Sequence, residues 1–366
     1  MIYGERVRQA RELRGLTQKA LAVVVQLHQS AVAHLEADRA TISESALDRI
    51  ALATGFPTSF FRQRPDSDFS PGSLRFRAHA AATSLGRTQA YRYAQTIFEG
   101  ANKLATLVNL VPLTLGRMEA SPSEAARKTR QTLGLSDNEP INHLMDVIER
   151  AGVIVLAIPM AVPRLDAFSA WVGNPKRPVV ALLTDKPTDR FRLTLAHELG
   201  HLLIHDAAEG NRIEIEREAN AFAGEFLVPA KGLRRELRPP ITLVSFADLK
   251  RRWGVSIQAL VRRARDLSLI SANQYRYLCQ QIGAKGWRKN EPVDLRAESE
   301  KPRAVRKIIE LVYGVPIDAD RVAADLHLQP IFVDEIIKSY ASSFERGQTI
   351  ANVPRRVFGA KPRAKG

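Results

Sequence analysis

One cysteine, Cys279, stands alone in 366 residues, which excludes an intramolecular disulfide framework and a cysteine-ligated zinc site. It reads as a buried small side chain. No uninterrupted apolar run approaches the ~18 residues that a membrane span needs, and the opening Met-Ile-Tyr-Gly-Glu-Arg has no basic-then-apolar leader. A cytoplasmic protein without a membrane partner is therefore expected. Acidic side chains are scarce beside basic ones, 39 Asp and Glu against 54 Lys and Arg, and the resulting formal charge of +15 favours polyanions as partners. Nucleic acid is the commonest soluble polyanion, although charge alone locates no site. With 45% hydrophobic residues the chain can bury a sizeable core, and its length suits two or three domains.

With cysteine excluded, any transition metal must be held by histidine and carboxylate. Residues 191–205 read Phe-Arg-Leu-Thr-Leu-Ala-His-Glu-Leu-Gly-His-Leu-Leu-Ile-His. On a helix His197 and His201 lie one above the other, so two imidazoles can grip one ion while Glu198 is directed beside it. The flanks Leu193, Leu195, Ala196, Leu199, Leu202, Leu203 and Ile204 leave the helix almost no wet side. Polar groups buried there cost several kcal/mol unless something satisfies them, and a metal would. A second helical pattern spans residues 214–228 and supplies the third ligand: Glu216 is the choice, with Glu218 in reserve. His205, about 12 Å along the helix from His197, is too far to share the ion and reads as structural or as an outer partner of the site.

Phe191 to His205, followed by Glu216-Arg217-Glu218-Ala219-Asn220-Ala221-Phe222-Ala223 and Leu227-Val228-Pro229, resembles the ImmA/IrrE family of metallopeptidases. The resemblance covers roughly residues 125 to 280. It implies a fold like a minimal gluzincin, Zn²⁺ as cofactor, His197, His201 and Glu216 as its ligands, and Glu198 as the catalytic base. It also implies a protein substrate, since similar proteins cut helix-turn-helix repressors.

Residues 1–64 read as short helices. Val7, Ala10 and Leu13 give the first a buried stripe, Gly15 stops it, and Thr17 caps a second from Gln18 to Val24. A third is expected from about Gln29 to Glu36, which completes a helix-turn-helix. Gly15-Leu16-Thr17-Gln18-Lys19-Ala20-Leu21-Ala22 and Gln29-Ser30-Ala31-Val32-Ala33-His34-Leu35-Glu36 resemble the Xre/Cro-type DNA-binding domain. The resemblance implies double-stranded DNA as partner, with Gln29, Ser30 and His34 facing base edges and Gln18 on a phosphate. It makes Ala20, Leu21, Val32, Leu35, Ile50 and Leu52 core. Where the family usually has a turn glycine this chain has Gln26, a cost if φ is positive there. The nine Lys and Arg against six Asp and Glu in this stretch are a modest excess, and a helical protein-docking module is the alternative reading.

The Pro, Ser and Gly content of residues 65–75 marks a linker. Residues 76–120 are expected to return to a connecting helix with an aromatic stripe, Tyr91, Tyr93, Ile97 and Phe98, suited to a core or to the face of a homodimer. One or two amphipathic helices over residues 123–151 lead to a strand at residues 153–158 and a hairpin of strands at residues 167–172 and 179–183. The resemblance to the metallopeptidase family implies that this sheet lies beside the metal and that its edge strand can accept an extended substrate chain. Residues 242–280 hold two helices about a turn, read as a solvated basic face closing the peptidase domain. Residues 294–345 form a small helical module, and residues 353–366, with five Lys and Arg and no acid, a disordered tail.

The expected fold is mainly α with a small β-sheet. An all-helical N-terminal helix-turn-helix domain (1–64) is followed by a linker and connecting helix (65–120), an α+β gluzincin-like metallopeptidase domain (121–282) and a small helical C-terminal region (283–366). The expected function is a DNA-binding zinc metalloendopeptidase and transcriptional regulator that cleaves an Xre-type repressor or similar regulatory protein. A transcription factor whose metal domain is a non-proteolytic sensor is the alternative. A nucleic-acid-cutting enzyme fits least, because the carboxylate-rich two-metal pattern is missing.

Overall fold

Two hydrophobic cores share one small sheet in the computed structural model, which describes residues 1–65, 69, 83–184, 188–205, 211–288, 290–292 and 300–341. The chain opens with helices α1 (Gly4–Leu13), α2 (Gln18–Val24), α3 (Gln29–Glu36) and α4 (Glu44–Thr54), then a 3₁₀ turn at Thr58–Arg62. Thr17 caps α2 by accepting from the Ala20 N–H at 3.1 Å, and Ser43 caps α4 through Ala46 at 3.2 Å. Gln26, in the turn between α2 and α3, has φ 55°, so a non-glycine residue does sit in the left-handed region where glycine was missed. Val7, Ala10, Leu21, Val32, Leu35 and Ile50 close the core. Leu52, expected to join them, is 87% exposed: two residues past Ile50 is about 200° around the helix, on the opposite side.

Helix α5 (Ser84–Ala105) is a core element in its own right, with Tyr91, Tyr93, Ala94, Ile97 and Phe98 buried. It meets α1 along a polar seam in which Arg92 donates to Glu12 at 2.6 Å and to Glu5 at 2.6 Å, and Gln9 to Thr96 at 3.1 Å. The helix expected to continue to residue 120 stops at Ala105. Pro112 has no N–H to give and its ring would strike the preceding turn, which bars one helix from running through to residue 120, and residues 106–121 are irregular. They are tied down by Thr114 N–H to Ala151 O at 3.0 Å and Met118 N–H to Leu203 O at 2.7 Å. Most of the linker expected at residues 65–75 and the whole tail at residues 353–366 lie outside the described residues.

Helices α6 (Pro122–Thr132) and α7 (Leu144–Arg150) precede strands β1 (Ile154–Ile158), β2 (Ala167–Val172) and β3 (Arg177–Leu183). The sheet order is β1-β3-β2, with β1 parallel and β2 antiparallel to β3. Period-two alternation gives each face its own core. Leu156, Phe168, Ala170, Val179 and Ala181 join the core of the N-terminal helices and α5, whereas Val155, Ala167, Val180 and Leu182 join the second core. That second core holds α8 (Thr188–Ile204), α9 (Arg212–Leu227), α10 (Ala230–Glu236), α11 (Leu243–Trp253), α12 (Ile257–Asp266) and α13 (Ala272–Ala284).

Helices α14 (Ala304–Tyr313), α15 (Ala319–Leu326) and α16 (Pro330–Lys338) return to the first core. Polar ties help hold them: Glu149 accepts the N–H groups of Arg303 and Ala304 at 3.0 Å, Ala157 N–H reaches Tyr340 OH at 2.9 Å, and Met145 N–H reaches Glu300 at 2.8 Å. The first core thus crosses the boundary expected after residue 64, and the C-terminal helices complete it. Among the described residues no helix is long and apolar enough to cross a membrane.

Candidate metal centre and nucleic-acid interface

Helix α8 carries His197 and His201 one turn apart, and α9 crosses it where Gly200 faces Phe222. A Cβ on Gly200 would lie 3.0 Å from the Phe222 ring, so the missing side chain sets how near α9 can come. That approach brings Glu216 to the histidines. His197 Nε2 and His201 Nε2 are 2.9 Å apart, and the Glu216 carboxylate is 3.3 Å from the first and 3.7 Å from the second. One donor atom from each of the three lies within 4.8 Å of the others.

The outer partners fix which nitrogen of each ring carries the proton. Asn220 Nδ2 donates to Glu216 O at 2.7 Å, an acceptor-only atom, which turns Asn220 Oδ1 towards His197 Nδ1 at 3.2 Å. Nδ1 must then carry the proton, leaving a lone pair on Nε2. On the other ring His201 Nδ1 is 3.0 Å from His205 Nδ1, and His205 Nε2 is 3.0 Å from Glu218 Oε2. A carboxylate only accepts, so His205 Nε2–H donates to Glu218, His205 Nδ1 accepts from His201 Nδ1–H, and His201 Nε2 carries the lone pair of its ring. Two lone pairs and a carboxylate face one another, an arrangement that calls for a cation. Tetrahedral zinc with bonds of about 2.0–2.1 Å sets its nitrogens about 3.3 Å apart, within a few tenths of an ångström of the 2.9 Å found here. The donor set fits zinc, and nitrogen and carboxylate donors are the types it takes.

Burial works against charge on His197, but the hydrogen bond that the protonated ring donates to Glu216 and the charges of Glu198 and Glu216 outweigh it and hold its pKa above the ordinary histidine value. The same negative surroundings favour a metal cation. Glu198 is 8% exposed, and its Oε2 accepts a hydrogen bond from Ser169 Oγ of β2 at 2.6 Å. Trp171, two residues along the same face, donates to Leu202 O at 2.9 Å and binds β2 to α8.

Of the expected residues, the structure brings His197, His201 and Glu216 together and sets Glu198 beside them in sequence. Glu218, the reserve ligand, is turned to His205 instead. Ser169 was missed: nothing local in an alternating strand pairs it with a residue 29 positions away. Asn220 stands one turn beyond Glu216 on the same face of α9, but its bond to His197 depends on how α8 and α9 cross.

On α3, Gln29, Ser30 and His34 are exposed. Gln18 is half-buried, donating to Glu36 at 2.9 Å and accepting from Gln29 Nε2 at 3.0 Å. Glu36 is itself held by Arg11, with contacts of 2.5 and 2.9 Å. Gln18 thus bridges Glu36 and Gln29.

Residues 148–265 match the family model of the IrrE N-terminal-like domain, Peptidase_M78, and residues 7–61 match a helix-turn-helix model. No curated protein matches the chain. The chain combines an N-terminal helix-turn-helix domain of the DNA-binding regulator type with a metallopeptidase-like domain of the ImmA/IrrE kind.

Proposed function

We propose that this chain is a DNA-binding regulator that also hydrolyses a peptide bond in a regulatory protein, with a helix-turn-helix repressor as substrate. His197, His201 and Glu216 hold Zn²⁺ and Glu198 is the general base. The observation that carries this reading is the convergence of two Nε2 lone pairs on one carboxylate, with each imidazole fixed from behind by an outer partner. Bound there, zinc supplies Lewis acidity, polarising a carbonyl and acidifying a water. Glu198 takes the proton of the attacking water and delivers it to the leaving amine, while the Ser169 hydroxyl orients its carboxylate. Among the described residues strand β2 pairs with β3 alone, and an extended substrate segment can add to its other edge.

Glu198→Gln keeps the size of the side chain and removes the base. The purified variant should keep its zinc and lose cleavage of helix-turn-helix repressors from its own genome by about 10²-fold or more, as chelator treatment of the native protein should. A second reading, a regulator whose metal site senses without cutting, draws support from the Ser169 hydroxyl already lying on Glu198 Oε2. Regulation in cells that survives Glu198→Gln intact favours that reading over proteolysis.

A further inference from the structure

Away from the metal site a cavity of about 290 Å³ opens between α7, residues 108–111, the start of β1 and α14. It lies at the lower end of the volumes usual for small-molecule sites, about 300–1,000 Å³, so it suits a compact ligand. Val111, Val153, Ile154, Ile308 and Leu311 make its walls mostly apolar. Its charged lining is unbalanced: Arg150, Arg177, Arg303 and Lys307 face only Asp146 and Glu149. Both acids are already engaged, Asp146 with Arg303 Nε at 3.8 Å and Glu149 with the backbone N–H groups that start α14. Among the described residues no carboxylate pairs with Arg150 or Lys307.

We propose that this cavity binds a compact amphipathic carboxylate, its apolar body against Val153, Ile154 and Ile308 and its headgroup at Lys307 and Arg150. An apolar recess accounts for the tail, and the unmatched cations select a negative head over a neutral or positive one. Burial pushes Glu149 up to about 8 in spite of the N–H groups it accepts, so near neutral pH the wall opposes an anion only weakly. The ligand would lie between α7 and α14, and Glu300, just before α14, pairs with Arg192 of the metal helix α8. Helix α14 also packs on α5, which packs on α1. The site therefore touches elements leading to both the metal centre and the DNA-binding helices.

The test titrates octanoate, octanol and octylamine into the full-length protein by calorimetry, with amide hydrogen exchange to locate binding. It does not depend on zinc or on peptidase activity. Octanoate should bind about tenfold or more tightly than octanol, octylamine should not bind, and exchange should slow at residues 108–111 and in α14. Lys307→Glu should weaken octanoate by about tenfold and leave octanol unchanged. Arg150→Glu, on an exposed side chain, repeats the test if the first variant fails to fold. Equal binding of all three compounds, octanoate binding indifferent to the charge reversals, protection elsewhere, or no binding would each overturn the proposal.

Discussion

His205 never reaches the metal position, yet replacing it with alanine should loosen the metal. Its Nδ1 is the acceptor that keeps the proton of His201 on Nδ1, and its Nε2–H passes the tie on to Glu218. Without it His201 can take the other tautomer or rotate, and its Nε2 lone pair is no longer held towards His197 and Glu216. Losing such an outer partner typically lowers metal affinity 10- to 100-fold, or about 1.4 to 2.7 kcal/mol. Glu218→Gln, which keeps an acceptor but removes the charge, should fall between His205→Ala and the native protein. Competition for zinc against a fluorescent chelator at fixed pH measures all three, and circular dichroism shows whether the helices persist. A folded His205→Ala protein within about twofold of native affinity would refute the reasoning.

Zinc binding should also weaken in acid. A ligand imidazole must be neutral, and the apo pKa of His197 lies above the ordinary histidine value. Affinity should therefore start to fall at a higher pH than for a free imidazole, by about tenfold per unit for each proton displaced, and a flat profile across the histidine range would contradict this. On DNA, Gln29→Ala with His34→Ala should cost about 1 to 3 kcal/mol per lost base contact while non-specific binding keeps its salt dependence. An unchanged footprint on the protein's own promoter would instead favour the docking-module reading.

Much of this architecture can be read from local pattern. The stop at Gly15, the cap at Thr17 and the apolar spacing of α1 to α3 depend on neighbours a few residues away, and so do the alternation of β2 and β3 and the His197-to-His201 spacing. What local pattern leaves open is which surfaces meet. The aromatic stripe of α5 announces burial but not that α1, the sheet and α14 share in it. Glu216 and Glu218 differ by about 200° around one helix, and only the crossing of α8 and α9 decides which meets the histidines. Ser169 and Glu300 reach the metal helix from 29 and 108 positions away, distances at which spacing carries no signal.

The most direct measurement is elemental analysis of purified native protein beside His201→Ala, with anomalous scattering at the zinc edge from crystals of the native form. The account predicts about one zinc per chain, its density between His197 Nε2, His201 Nε2 and the Glu216 carboxylate, and a sharp loss of metal in the variant because two ligands hold zinc poorly. Equal zinc in both proteins, or a peak away from these three side chains, would contradict it.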